Sequence, residues 1–69
     1  MSEMAVINDY FGLVANERNG NRFLVDEVTT IDGIVSIHGP SIKRDGTLAK
    51  RSRIGTFPQY CTFEDWKRP

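Results

Sequence analysis

Apolar positions fall along this chain in short runs separated by polar turn signals. Asn19-Gly20, Asp32-Gly33 and Asp45-Gly46 are turn dipeptides, because Asn, Asp and Gly accept the positive φ that tight hairpin turns require. Gly39-Pro40 is a fourth break. The breaks lie 13, 7 and 6 residues apart, a spacing that suits a meander of short strands and leaves little room for helices.

The runs between the turns carry strand-forming residues. Phe23 to Thr30 is rich in β-branched side chains at Val25, Val28, Thr29 and Thr30. Ile34 to Ile37 is too short for a helix between its glycine and Gly39-Pro40. Ala5 to Ala15 fits two periods. Val6, Ile7, Tyr10, Phe11 and Val14 make a helical stripe, and also a strand bent at Gly12. We favour the strand, because Asn19-Gly20 then closes a hairpin between Phe11–Asn16 and Arg22–Val28. Thr47 to Phe57 is expected to form a last strand that Pro58 ends. Thr62 then starts a short helical turn, Phe63 to Lys67, with acids at its positive end and bases at its negative end. Trp66 would pack back on the sheet.

These elements predict a mainly β fold for residues 1–69 as a single small domain. It is a small antiparallel meander, or an SH3-like half-barrel, of four to five short strands with a short C-terminal helical turn. Closure of that kind removes exposed strand edges in a chain too short for a sandwich. A helix at residues 5–15 would instead make the fold α+β.

A chain of 69 residues has a thin core and marginal stability. One cysteine, Cys61, allows no internal disulfide, and no Cys/His set suggests a metal, so no cofactor is expected. The first residues lack a signal-peptide pattern and no run is long enough to span a bilayer, from which we expect a cytoplasmic protein with no membrane partner. The missing staples also allow a homo-oligomer that completes the core.

Net charge is zero but unevenly spread. Residues 1–35 hold six acids against two bases, giving −4, and residues 36–69 hold seven bases against three acids, giving +4. The two halves either pair across strands or leave a basic face for an anionic partner. Lys43, Arg44, Lys50, Arg51 and Arg53 cluster around the Asp45-Gly46 turn, and Tyr60 and Trp66 are nearby aromatic anchors. Arginine and aromatic side chains dominate binding hot spots, and clustered cations suit phosphates or carboxylates.

Two stretches resemble the SH3 domain. Ala5-Val6-Ile7-Asn8-Asp9-Tyr10 is similar to that family's opening Ala-Leu-Tyr-Asp-Tyr, and Gly55-Thr56-Phe57-Pro58-Gln59-Tyr60 to its closing Gly-x-Phe-Pro-x-Asn-Tyr, one residue short. The resemblance implies a groove for proline-rich peptides built on Tyr10, Pro58 and Tyr60. The family's central tryptophan pair is missing, and Ile34 to Ile37 stands in its place. Two short motifs do not identify the chain as a member.

No catalytic constellation is expected. His38 has no carboxylate or nucleophile at a telling spacing, and Ser36 and Ser41 carry no motif. Cys61 reads as a small core residue. Asp26 and Glu27 are adjacent, so on a strand they face opposite sides. The function expected is a non-enzymatic binding or accessory module that docks a basic hairpin on an acidic protein surface or a nucleic-acid backbone. A self-associating structural protein and an SH3-like peptide-binding domain are the alternatives.

Overall fold

The computed structural model describes residues 10–50 and 52–68. Each turn dipeptide closes a hairpin. β1 (Leu13–Glu17) runs antiparallel to β2 (Arg22–Leu24), pairing Val14 with Leu24 and Asn16 with Arg22. Between them the Asn19 side chain accepts a bond from the Asn21 amide at 3.0 Å, the local bond that favours Asn in turns. β3 (Glu27–Ile31) and β4 (Ile34–Gly39) are joined by Asp32 and Gly33 alone, with φ of 53° and 78°. Two consecutive positive φ values define the turn whose twist matches the flanking strands.

β5 (Ile54–Thr56) adds to β4, and β6 (Cys61–Asp65) adds to the far side of β1. The result is two three-stranded antiparallel sheets, ordered β2-β1-β6 and β3-β4-β5. The protein is therefore mainly β. Residues 11–16 and 22–28 do form the expected hairpin, although β1 begins only at Leu13 and the second arm breaks between Leu24 and Glu27. The remainder of the strand-or-helix question, residues 5–9, lies outside the described residues.

The break in that arm joins the sheets. The Leu24 amide donates to the Pro40 carbonyl at 3.0 Å, Ile42 donates to Arg22 at 2.9 Å, and Asp26 donates to His38 at 3.0 Å. β2 thus pairs with β1 on one side and with the chain following β4 on the other. The corner needs Gly39. A Cβ there would stand 2.7 Å from the Leu24 carbonyl carbon and closer still to its oxygen, both backbone atoms that cannot swing aside.

Alternation then sorts the side chains. Ala15 sits between Phe23 and Phe63 in one cross-strand row, and Ile37 between Val28 and Thr56 in the other. Ala15, Phe23, Val25 and Ile37 are fully buried, with Tyr10, Val28, Ile54, Cys61 and Phe63 packed against them. Tyr10 and Phe63 meet at 5.0 Å between ring centroids, within the favoured range for aromatic pairs.

Two expectations are corrected. Residues 63–67 are not a helical turn: Cys61–Asp65 is a strand in register with all five residues of β1. Burial of Phe63 against Ala15 outweighs the cap and end charges, whose local gains are small by comparison. The helical geometry lies earlier, in a 3₁₀ turn at Pro58–Tyr60 whose first position the proline suits. Nor is 47–57 one strand. Leu48 makes an isolated bridge to Ile42 and only Ile54–Thr56 forms a strand, because the polar run from Lys50 to Arg53 offers no alternating apolar face.

The corner makes a sharp prediction. Gly39→Ala is expected to cost more than about 3 kcal/mol, enough to unfold much of a domain this small at 25 °C. A circular-dichroism melt within a few degrees of wild type would contradict this account of the corner.

Candidate functional site

The basic hairpin is built before its charges matter. The Lys43 amide donates to the Thr47 carbonyl at 2.7 Å and the Gly46 amide to the Lys43 carbonyl at 2.9 Å. Asp45 accepts from the Thr47 hydroxyl at 2.6 Å and from the Thr47 amide at 3.0 Å. Those two bonds hold the Asp45 carboxyl below its ordinary value. At the base, an Ile42–Leu48 bridge and an Ala49 amide bond to the Ser41 carbonyl at 2.8 Å close the loop. Lys43 and Arg44 stand exposed at the tip, and Lys50 is exposed beyond it.

The other basic residues divide. Arg53 donates to Asp26 at 2.5 Å, so it is held in an ion pair between the two halves of the chain. Arg51 lies outside the described residues. Charge pairing across halves and a free basic tip therefore coexist.

Trp66 joins this face and Tyr60 does not. The pleat places Arg22, Asn16, Val14 and Glu64 on the face of the first sheet opposite Ala15, where Val14 is fully buried, and Trp66 follows Glu64 by two positions. A cleft of about 160 Å³ is lined there by Arg22, Ile42, Gly46 and the run from Glu64 to Lys67, Asp65 included. The Arg68 guanidinium lies 5.6 Å from the Trp66 ring centroid, within cation–π range. The hairpin and the C-terminal residues, some twenty positions apart in sequence, thus share one cleft. Tyr60 sits at the opposite end of β6, edge-on to Phe57 at 6.2 Å, beside a second cleft with Glu17, Arg18 and Cys61.

The wall of the Trp66 cleft is a closed polar triad. Asn16 donates to Glu64 at 2.8 Å, while Arg22 donates to Asn16 at 3.0 Å and to Glu64 at 3.2 Å. The Asn16 bond first, and then Arg22, hold the Glu64 carboxyl below its ordinary value of 4.5. Sequence reasoning missed Arg22, Lys67 and Arg68 as members of this face. Lys67 and Arg68 flank Trp66 in the chain, so proximity to the aromatic was an available signal; Arg22 had none.

The resemblance to the SH3 domain named Tyr10, Pro58 and Tyr60 for one groove. Tyr10 and Pro58 do line a common cleft of about 410 Å³ with Gly33, Ile34 and Gln59, and Tyr60 lies apart from it.

The remaining reactive side chains have structural work. His38 is half-buried, within 3.2 Å of the Thr29 hydroxyl, and its ring covers Gly55 on β5. The Ser36 hydroxyl donates to the Thr56 carbonyl at 3.4 Å. Burial, and then the neighbouring Glu17 charge, push the Cys61 thiol up, away from the thiolate a nucleophile needs. Among the described residues no three His, Cys, Asp or Glu side chains gather to hold a metal ion, and no helix is long and apolar enough to cross a membrane.

Comparison with family models, with curated proteins and with solved structures found no match.

The triad predicts a pH signature. The folded state lowers the Glu64 pKa, so this group adds stability above pH 4.5 that is lost as pH falls through its folded value. In Asn16→Ala the Glu64 pKa should rise toward 4.5, and stability should depend less steeply on pH below that point. A carboxyl-detected NMR titration reads the shift directly. An unmoved Glu64 in the variant would mean that Asn16 does not set it.

Proposed function

We propose that this chain is a small non-enzymatic docking module that binds an acidic protein surface through its basic hairpin and the cleft beside Trp66. The observation that carries the reading is that Ile42 and Gly46 of the basic hairpin share one cleft with Trp66 and Lys67, with Arg68 over the Trp66 ring. Lys43, Arg44, Lys50, Lys67 and Arg68 are exposed with no ion pair among the described residues, whereas Arg22 and Arg53, also exposed, pair with Glu64 and Asp26. Exposed charges of one sign chiefly raise encounter rate and select against partners of the same sign.

Two features favour protein over nucleic acid. The chain carries no net positive charge. The Trp66 ring is half-buried under Arg68, which leaves it a poor stacking platform for a base. The non-catalytic reading is supported by the Cys61 thiol held protonated and by His38 and Ser36 engaged in strand contacts.

The fold reading extends to a half-closed barrel of the SH3-like kind in a cytoplasmic protein. Its support is the strand order β6-β1-β2, continued through the Pro40–Ile42 bonds into β4 and β5, with a 3₁₀ turn before the last strand. A peptide-binding role at the Tyr10–Pro58 cleft is the second reading, favoured by that cleft's size and by exposed Ile34 at its lip. A proline-rich peptide that shifted Tyr10 resonances and left Lys43 and Arg44 untouched would establish it.

For the lead reading, the test is a salt series of binding to polyglutamate and to oligothymidylate. Lys43→Ala/Arg44→Ala/Lys67→Ala is expected to weaken polyglutamate binding by about fivefold to tenfold at low salt, with a shallower salt dependence. Arg53→Ala, whose partner is internal, should leave binding unchanged. Equal loss in both variants would point to a general charge effect and away from this face.

A further inference from the structure

β3 is an outer strand of its sheet, and among the described residues no strand lies along its far edge. The two-residue turn at Asp32-Gly33 closes on a hydrogen-bonded pair, Ile31 with Ile34, and bonded and non-bonded pairs alternate from there. Thr29 and Ile31 therefore direct their amides and carbonyls at β4, while Val28 and Thr30 turn theirs outward. Glu27–Ile31 has no proline or lysine to blunt that edge, and its register with β4 is unbroken over five residues. Ile31 and Ile34, at the turn end of the edge, are 71% and 59% exposed.

We propose that the β3 edge accepts an extended basic segment of a partner protein as an added antiparallel strand. Main-chain bonds to Val28 and Thr30 supply the affinity of such an addition, and alternate side chains its specificity. Charge decides the occupant. From Val25 to Ile37 the chain carries Asp26, Glu27 and Asp32 and no lysine or arginine. Arg53 pairs with Asp26, which leaves Glu27 and Asp32 at the two ends of the edge. A second copy meeting this edge about a two-fold axis would bring Glu27 of one chain to Asp32 of the other, and like charges across strands are destabilising. A basic strand meets both acids favourably. Glu27, Thr29 and Ile31 share one face of the sheet, so the matching strand carries an apolar side chain opposite Ile31 and a cation opposite Glu27, four positions later. This surface is separate from the basic hairpin. Ile42 bonds Arg22 at one end of the run from Arg22 to Ile31, and Ile31 meets Ile34 at the other. Two surfaces of opposite charge thus stand at opposite ends of one strand run, and both can be occupied at once.

The test titrates ¹⁵N-labelled wild-type protein with the peptide Lys-Ile-Thr-Val-Thr-Lys-Lys, and separately with Glu-Ile-Thr-Val-Thr-Glu-Glu. With the lysine peptide the amides of Val28 and Thr30 should move downfield and exchange more slowly with solvent. Those of Thr29 and Ile31, already bonded to β4, should stay nearly still. Thr30→Pro deletes an outward donor at a position where an edge strand tolerates proline, and should weaken binding by about tenfold. Shifts confined to Lys43 to Gly46, or equal binding of the glutamate peptide, overturn the proposal. So does protection of Val28 and Thr30 that grows with protein concentration in the free chain, which assigns the edge to a second copy. Absence of any binding at low salt overturns it as well. The wild-type titration decides the matter even if Thr30→Pro fails to fold.

Discussion

The structure turns on the close approach of Gly39 to the backbone of Leu24. Hydrogen bonds on either side of that point hold two strands in register, but the strands belong to different sheets. Only a residue without a Cβ lets the chain after β4 pass near enough for Leu24 to bond Pro40 and for Asp26 to bond His38. The corner brings Phe23 and Ile37, one from each sheet, into the same core. It also carries the chain from β4 to the far side of β2, which is how the Asp45-Gly46 hairpin arrives beside Arg22.

A second dependence is long in sequence. β1 is the middle strand of its sheet, and its partner β6 lies near the other end of the chain, 48 residues away at the Asn16–Glu64 bond. Closing so large a loop is entropically costly and returns nothing until the strands meet. Phe63 and Cys61, inward-facing on β6, supply the apolar contact that offsets it. The same pairing delivers Glu64 to Asn16 and Arg22, so the wall of the Trp66 cleft forms only once β1 and β6 have met.

Turns were legible in the sequence because they are local. Asn19-Gly20, Asp32-Gly33 and Asp45-Gly46 all close loops where the dipeptides stand, and Asp32 accepts the positive φ that its neighbour Gly33 also takes. The C-terminal element was misread because Thr62, Glu64 and Asp65 form a good local start for a helix, while the reason for a strand is Ala15, far away in the chain. The basic tip at Lys43 and Arg44 was likewise visible as a cluster. That Arg53 belongs to Asp26, and that Trp66 rather than Tyr60 shares the face, depends on the corner and on pleat parity, which no local pattern encodes.

The hairpin tip is tied at both levels, by its own turn bonds and by the bonds of Ile42 and Ala49 at its base. Lys43 and Arg44 therefore leave a backbone that has already given up its conformational freedom during folding. A partner that meets them need order only the side chains, at roughly 0.5–1.5 kcal/mol for each one immobilised. Such a tip can discriminate among partners by the spacing of their negative charges, which a floppy basic tail of equal charge could not do.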